Sequence, residues 1–182
     1  MKLIKDYIKE GLKITSKTKV NEKPKYNYFP KDREELKDIL WERLEEDKNA
    51  NLNDIDVSKI EDMRNLFVTL DPHNIDISKW DVSNVEDMYG MFAGCHNFDS
   101  DLSYWNVSNV KDMESMFLNC DNFDSDLHWD VSNVEDMHSM FYGCKKFTGK
   151  GLETWNVSNV KNMKGMFAGC PLGKNTPKWY KR

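Results

Sequence analysis

A unit of about 25 residues recurs along this chain, and it constrains the fold more than any other feature of the sequence. The unit is clearest in residues 80–95, which read WDVSNVEDMYGMFAGC. Three further copies follow, and the tryptophans that open the four copies lie 25, 24 and 26 residues apart. A degenerate copy, DVSKIEDMRNLF, precedes them at residues 56–67. Self-similarity at this period is typical of chains whose repeats each bury an apolar face on the next repeat.

Each copy divides into two halves with different patterns. In the first half the apolar side chains Val85, Met88 and Met91, with Phe92, follow a helical spacing, which predicts a short helical turn. The second half, such as residues 98–103, is short and bounded by turn residues, which predicts a brief strand. One helical turn and one strand per copy predict an α/β repeat solenoid of leucine-rich-repeat-like coils. We expect about four full coils of ~25 residues and a degenerate first coil.

The composition changes along the chain and divides it into five segments. We expect an amphipathic helix for docking or targeting in residues 1–14, a Lys-rich linker in 15–30 and a cap helix in 31–50, with Asp32 as its N-cap. The repeats occupy residues 51–170, and residues 171–182 form a C-terminal cap. The cap helix is needed because a repeat solenoid must cover its exposed first coil.

Residues that recur in every copy are expected to line up in buried structural rows. The cysteines occur once per copy and form no C-x-x-C pair, so we expect a reduced, buried row and not a zinc site. The structural rows are Trp80, Trp105, Trp129 and Trp155; Phe92, Phe117, Phe141 and Phe167; and Cys95, Cys120, Cys144 and Cys170.

Two recurring polar positions are expected to join neighbouring copies. The asparagine of the VSN triplet, such as Asn84, can donate to the backbone of an adjacent copy. The position two residues later alternates in sign as Glu86, Lys111, Glu135 and Lys161, so neighbouring copies should form ion pairs there.

Two further positions change from copy to copy and form our candidate for a partner-binding surface. A repeat protein uses its recurring rows for stacking, which leaves variable rows available to partners. An ordinary solvated face is the alternative interpretation. The candidate partner-binding residues are Tyr89, Glu114, His138, Lys164, Leu118 and Tyr142.

The sequence offers no constellation for catalysis or for a cofactor. The four histidines share no repeat position, and neither a phosphate-binding loop nor a nucleophile elbow occurs. The D-S-D pairs at residues 99–101 and 124–126 lack an EF-hand signature, so a solvated acidic surface is favoured over calcium binding. The net charge of −5 offers no basic face for nucleic acid. We therefore expect no enzyme, no metal and no cofactor.

The sequence also lacks the patterns that would direct the protein to a membrane or out of the cell. No run of about 18 apolar residues predicts a transmembrane helix, and the N-terminus does not read as a secretory signal peptide. A cytoplasmic protein is expected on these grounds.

The unit W-[DN]-V-S-N-V-x-x-M-x-x-M-F-x-x-C resembles the BspA-like leucine-rich repeat of bacterial surface proteins and mycoplasma lipoproteins. The resemblance runs from about residue 52 to the C-terminus and implies a leucine-rich-repeat-like fold with a binding role. Our leading hypothesis is a non-enzymatic protein–protein interaction module. The identity of the protein partner and the oligomeric state stay open.

A second resemblance concerns the N-terminus. Residues 1–11, MKLIKDYIKEG, are similar to the capsid-targeting peptides of internal proteins of large tailed phages, which are amphipathic and cleaved after an apolar-x-Glu pattern. The resemblance implies a processing site between Glu10 and Gly11. The alternative hypothesis is therefore a phage virion or injected protein that lies inside the particle and binds a host factor.

Overall fold

The structure, a computed structural model, describes residues 25–181 and contains little regular secondary structure. Within this range one α-helix, α1, spans Arg33–Glu46, and two short 3₁₀ helices span Leu152–Thr154 and Pro171–Lys174. The rest of the described chain is turns, bends and isolated bridges. Residues 1–14, most of the expected linker, and the candidate processing site at Glu10 and Gly11 lie outside the described residues.

Helix α1 begins where its sequence provides a cap. The Asp32 side chain accepts a 3.0 Å hydrogen bond from the Glu35 amide, which satisfies one of the free donors of the first turn. Near the end of the helix, Arg43 pairs with Asp54 at 3.1 Å and ties α1 to the first turns of the repeats. The apolar face of α1 is fully buried and consists of Leu36, Leu40 and Leu44.

The predicted α/β repeat solenoid is wrong, and so is its leucine-rich-repeat-like character. The described residues contain no strand, including residues 98–103, and the expected helical turns in the copies are not helices. Neighbouring copies are joined instead by single parallel bridges, one for each pair of copies. These bridges join Asp62 to Asp87, Asp87 to Asp112, Asp112 to Asp136, and Asp136 to Asn162.

The physical reason is a left-handed backbone at two positions of each copy. Gly90 has φ 57° and Gly94 has φ 77°, so the apolar stripe of residues 85–92 cannot continue as a helix or extend as a strand. The same two positions have positive φ in every copy, although several carry side chains. They are Asn65, Gly90, Ser115, Ser139 and Gly165, and Thr69, Gly94, Asn119, Gly143 and Gly169.

Alternate amides of each copy donate to the next copy, and we call this set of bonds the amide ladder. In one copy the amides of Met88, Gly90, Phe92 and Gly94 donate to the carbonyls of residues 112, 114, 116 and 118 at 2.8–2.9 Å. The copies that begin this pattern at Met63, Met113 and Met137 bond in the same direction, from each copy to the one that follows. The ladder pairs backbone groups that a strand would otherwise pair.

The interior consists of the recurring apolar residues, stacked copy upon copy. The rings of Phe92 and Phe117 lie 5.6 Å apart and nearly parallel, and Phe117 packs on Phe123 of its own copy at 4.1 Å. The tryptophan row continues beyond the four copies, because Trp179 stacks on Trp155 at 6.1 Å. The C-terminal segment therefore covers the end of the core.

The four cysteines are free and buried. The Cys120 thiol donates to the Phe92 carbonyl of the preceding copy at 3.0 Å, and the Cys144 thiol makes the equivalent bond to Phe117 at 2.9 Å. Burial raises the pKa of Cys95 to about 12, which keeps its thiol protonated at neutral pH.

Candidate functional site

The recurring asparagines join neighbouring copies at the surface. The Asn109 side-chain amide donates to the Ser83 carbonyl at 2.7 Å, and Asn84, Asn133 and Asn159 make the same bond to the preceding copy. These side chains therefore serve the backbone of the repeats and are not available as partner-binding groups.

The alternating charges form two separate ion pairs. Lys111 lies 2.7 Å from Glu86, and Lys161 pairs with Glu135. Within residues 25–181 no ion pair joins Lys111 to Glu135, so the row is not continuous. All four side chains are more than half exposed, and such pairs contribute little to stability.

The six candidate partner-binding residues lie on two adjacent rows, which we call the variable face: Tyr89, Glu114, His138 and Lys164, with Leu118 and Tyr142. Their backbone carbonyls accept amide-ladder bonds. The Gly90 amide donates to the Glu114 carbonyl at 2.8 Å, and the Asn119 amide donates to the Tyr142 carbonyl at 2.7 Å. Because the backbone builds the contact between copies, the side chains at these positions are free to differ.

The side chains of the variable face mix aromatic, charged and apolar groups. Tyr89 is 37% exposed and Tyr142 is 45% exposed. The structure brings Glu114 and His138 together, with 3.4 Å between Oε1 and Nδ1. Lys164 is exposed, while Leu118 is half-buried. Exposed tyrosines beside charged groups are common at protein interfaces.

A column of carboxylates runs beside the variable face. The Oδ1 atoms of Asp87, Asp112 and Asp136 each accept the amide two residues on, at 2.9, 2.8 and 2.7 Å. Burial and the neighbouring carboxylates of Asp112 and Asp62 raise the pKa of Asp87. In the last copy Asn162 takes this position and donates to Asp136 at 3.1 Å. Sequence comparison of the copies shows the column, but its pairing is visible only in the structure.

The D-S-D pairs line a shallow acidic groove of about 400 Å³ with His128. Within residues 25–181 no group of three or more His, Cys, Asp or Glu side chains is arranged to hold a metal ion. The Asp124 carboxylate instead accepts hydrogen bonds from Thr148, whose amide and hydroxyl both donate to it at 2.7 Å.

A larger groove, of about 780 Å³, lies at the C-terminal end of the repeats and was not predicted from the sequence. Its walls include Lys161, Lys164, Lys181 and Tyr180, together with residues 163, 165 and 167–170. No sequence pattern marks this groove.

The part of the chain that the structure describes has no helix with both the length and the apolar character needed to cross a bilayer. Neither the curated proteins nor the solved structures include a match to this chain. One protein family does match, over residues 37–150 and again over residues 119–180. Together the two matches span residues 37–180, which include most of α1, the variable face and the C-terminal groove except Lys181. The chain therefore belongs to the family described as Mycoplasma protein of unknown function, DUF285.

Proposed function

We propose that this chain is a non-enzymatic protein-interaction module, built from repeats of the BspA-like type, that binds a protein partner through the variable face. The observation that carries the proposal is that the backbone at these positions, and not the side chains, makes the amide-ladder bonds between copies. The ladder bonds use only the backbone at positions such as Glu114 and Tyr142, so their side chains are unconstrained by the fold.

The chemistry of the face supports a protein partner. Tyr89 and Tyr142 offer large, half-exposed aromatic surfaces, and aromatic residues are enriched at protein interfaces. Glu114 and Lys164 add charges of opposite sign and His138 adds a polar ring, which favour a polar, complementary partner surface over a nucleic acid.

A pull-down from bacterial lysate tests the proposal. The test variant carries Tyr89→Ala, Glu114→Ala, His138→Ala and Tyr142→Ala. The control variant carries Trp41→Ala, Tyr104→Ala, Asp126→Ala and His128→Ala, which removes two exposed aromatics, one acid and one histidine elsewhere on the surface.

We expect a protein that the wild type and the control capture but the test variant loses. Both variants must keep the circular dichroism spectrum and urea midpoint of the wild type. Equal capture by all three proteins would exclude the variable face as the binding site.

A further inference from the structure

The amide ladder has an unpaired row at the C-terminal end of the repeats. In the last copy the ladder positions are the amides of Met163, Gly165, Phe167 and Gly169. No acceptor for these four amides lies within residues 25–181. The equivalent amides of the preceding copy, at residues 137, 139, 141 and 143, all donate to carbonyls of this last copy at 2.8–3.0 Å.

The segment that follows the last copy leaves this row open. After Cys170 the chain enters the 3₁₀ helix Pro171–Lys174 and then brings Trp179 onto the tryptophan row. Tyr180 packs edge-on against Phe167 at 4.9 Å. As far as residue 181, the segment thus covers the aromatic core, and none of its carbonyls accepts a bond from a ladder amide.

The four residues that carry the unpaired amides all line the groove of about 780 Å³ described above. Three lysines, Lys161, Lys164 and Lys181, also line it, and no Asp or Glu does. Lys161 is paired with Glu135, whereas Lys164 and Lys181 have no ion pair within the described range. Aligned main-chain amides attract negative charge, and the two lysines add to that attraction.

We propose that this groove binds an acidic peptide segment of a partner protein, whose carbonyls pair with the unpaired amides and whose carboxylates pair with the lysines. Binding by addition to an open backbone edge draws its affinity from main-chain hydrogen bonds and its specificity from the flanking side chains. The groove shares Lys164 with the variable face, but its unpaired amides and Lys181 lie outside that face, so this proposal does not depend on the proposed use of the variable face.

Two other occupants fit the groove less well. A second copy of this chain would have to offer the carbonyls of its first copy, and α1 lies at that end, where Arg33 donates to the Arg64 carbonyl at 3.5 Å. The chain's own residues 1–24 carry seven lysines against three carboxylates, so their charge has the same sign as the groove.

The repeats themselves indicate a suitable probe. Three of the four paired rows of amides receive a segment that contains an acidic residue followed by methionines, such as residues 86–91, and the fourth receives a segment with Asn162 in place of the aspartate. A labelled peptide that copies residues 83–94, SNVEDMYGMFAG, carries two carboxylates and no cation. A peptide with Lys at both acidic positions is its control.

The experiment titrates this peptide into the full chain and follows fluorescence anisotropy and amide chemical shifts. We expect saturable binding with shifts at residues 163, 165, 167 and 169. The variant Lys164→Glu with Lys181→Glu should bind at least about tenfold more weakly. The matched control, Lys59→Glu with Lys79→Glu, makes the same charge change in earlier, exposed turns and should bind like the wild type.

Several results would overturn the proposal: absence of binding to the wild type, equal binding of the Lys-substituted peptide, or shifts confined to other residues. Self-association in sedimentation that the lysine variant abolishes would assign the groove to a second copy instead. The quadruple alanine variant of the variable face keeps Lys164 and Lys181 and should bind the peptide normally. Failure at one site is therefore distinguishable from failure at the other.

Discussion

The indole Nε1–H of Trp129 donates a hydrogen bond of 3.0 Å to the carbonyl of Leu102, which precedes it by 27 residues. The same bond joins each tryptophan of the row to the copy before it, and Trp179 makes it to Leu152 at 2.8 Å. In the four copies the bond pairs a buried donor with a buried carbonyl, so neither group is left without a partner, whereas the bond of Trp179 is only partly buried.

We expect Trp129→Phe to lower the free energy of unfolding by about 2–3 kcal/mol, because it leaves the Leu102 carbonyl unpaired and opens a small cavity. Urea denaturation measures this change. Trp41→Phe, on the half-exposed surface of α1, is the control and should have little effect. A loss at position 129 no larger than that of the control would contradict the prediction.

Ser115 occupies a left-handed position, with φ 57°, that two other copies fill with glycine. The left-handed conformation costs a residue with a Cβ about 1–2 kcal/mol, while glycine loses about 0.5–1 kcal/mol more entropy on folding. We therefore expect Ser115→Gly to raise the free energy of unfolding by about 0.5 kcal/mol.

Thermal and urea unfolding of Ser115→Gly test this balance. Ser108→Gly is the control, because Ser108 does not have positive φ. It should be neutral or destabilising, and a gain at position 108 equal to that at position 115 would argue against the role of the left-handed backbone.

Asp112→Asn should stabilise the protein at neutral pH. Asparagine keeps the acceptor for the Glu114 amide and can donate to Asp87, as Asn162 donates to Asp136. It also removes a neighbouring charge that raises the pKa of Asp87. We expect a gain of about 0.5–1 kcal/mol at pH 7.

The pH dependence follows from the direction of the Asp87 shift. A raised carboxyl pKa in the folded state means that ionisation of Asp87 weakens the fold as the pH rises. The gain should therefore be present above an ordinary carboxyl pKa of about 4 and disappear below it. Urea denaturation at pH 7 and pH 3 tests this, with Asp81→Asn, at a position where other copies carry Asn, as the control.

The buried thiols predict a loss of stability in alkaline solution. An unfolded cysteine ionises near pH 8.5, whereas Cys95 in the fold ionises only near pH 12. Its contribution to stability is complete below the unfolded pKa and decreases as the pH rises through that interval, by about 1.4 kcal/mol per pH unit.

Measured between pH 8.5 and pH 10.5, the slope of stability against pH should be shallower in Cys95→Ala than in the wild type. Iodoacetamide should label Cys95 in the native protein far more slowly than in urea. An unchanged slope, or rapid native labelling, would show that the thiol is not protected.

The burial pattern could be predicted from the sequence, but the secondary structure could not. Rows such as Phe92 and Cys95 recur in every copy, and recurrence at a fixed period indicates stacking whatever the backbone does. The helical spacing of Met88, Met91 and Phe92 was misleading, because the left-handed residue between the methionines breaks the helix. The left-handed conformation of Ser115 and Ser139 could not be predicted, because serine, unlike glycine, does not indicate positive φ.

Of the two candidate sites, the sequence predicts the variable face but not the groove. The variable face could be selected because substitutions between copies are visible in the sequence. The groove could not, because its amides at residues 163–169 have no sequence signature. The sequence predicts a C-terminal cap in residues 171–182, and the spacing of 24 residues between Trp155 and Trp179 also matches that of the tryptophan row.

The single direction of the amide ladder bears on how such a chain can change in length. The paired ladder amides donate to the following copy, while the tryptophan indoles and the recurring asparagines donate to the preceding copy, so a duplicated copy inserted in register would find the same partners on both sides. Unequal recombination between the gene segments that encode the copies would then add or remove a whole repeat without disturbing α1 or the C-terminal groove. The distance between α1 and the C-terminal groove would change, while the residues of both would stay the same.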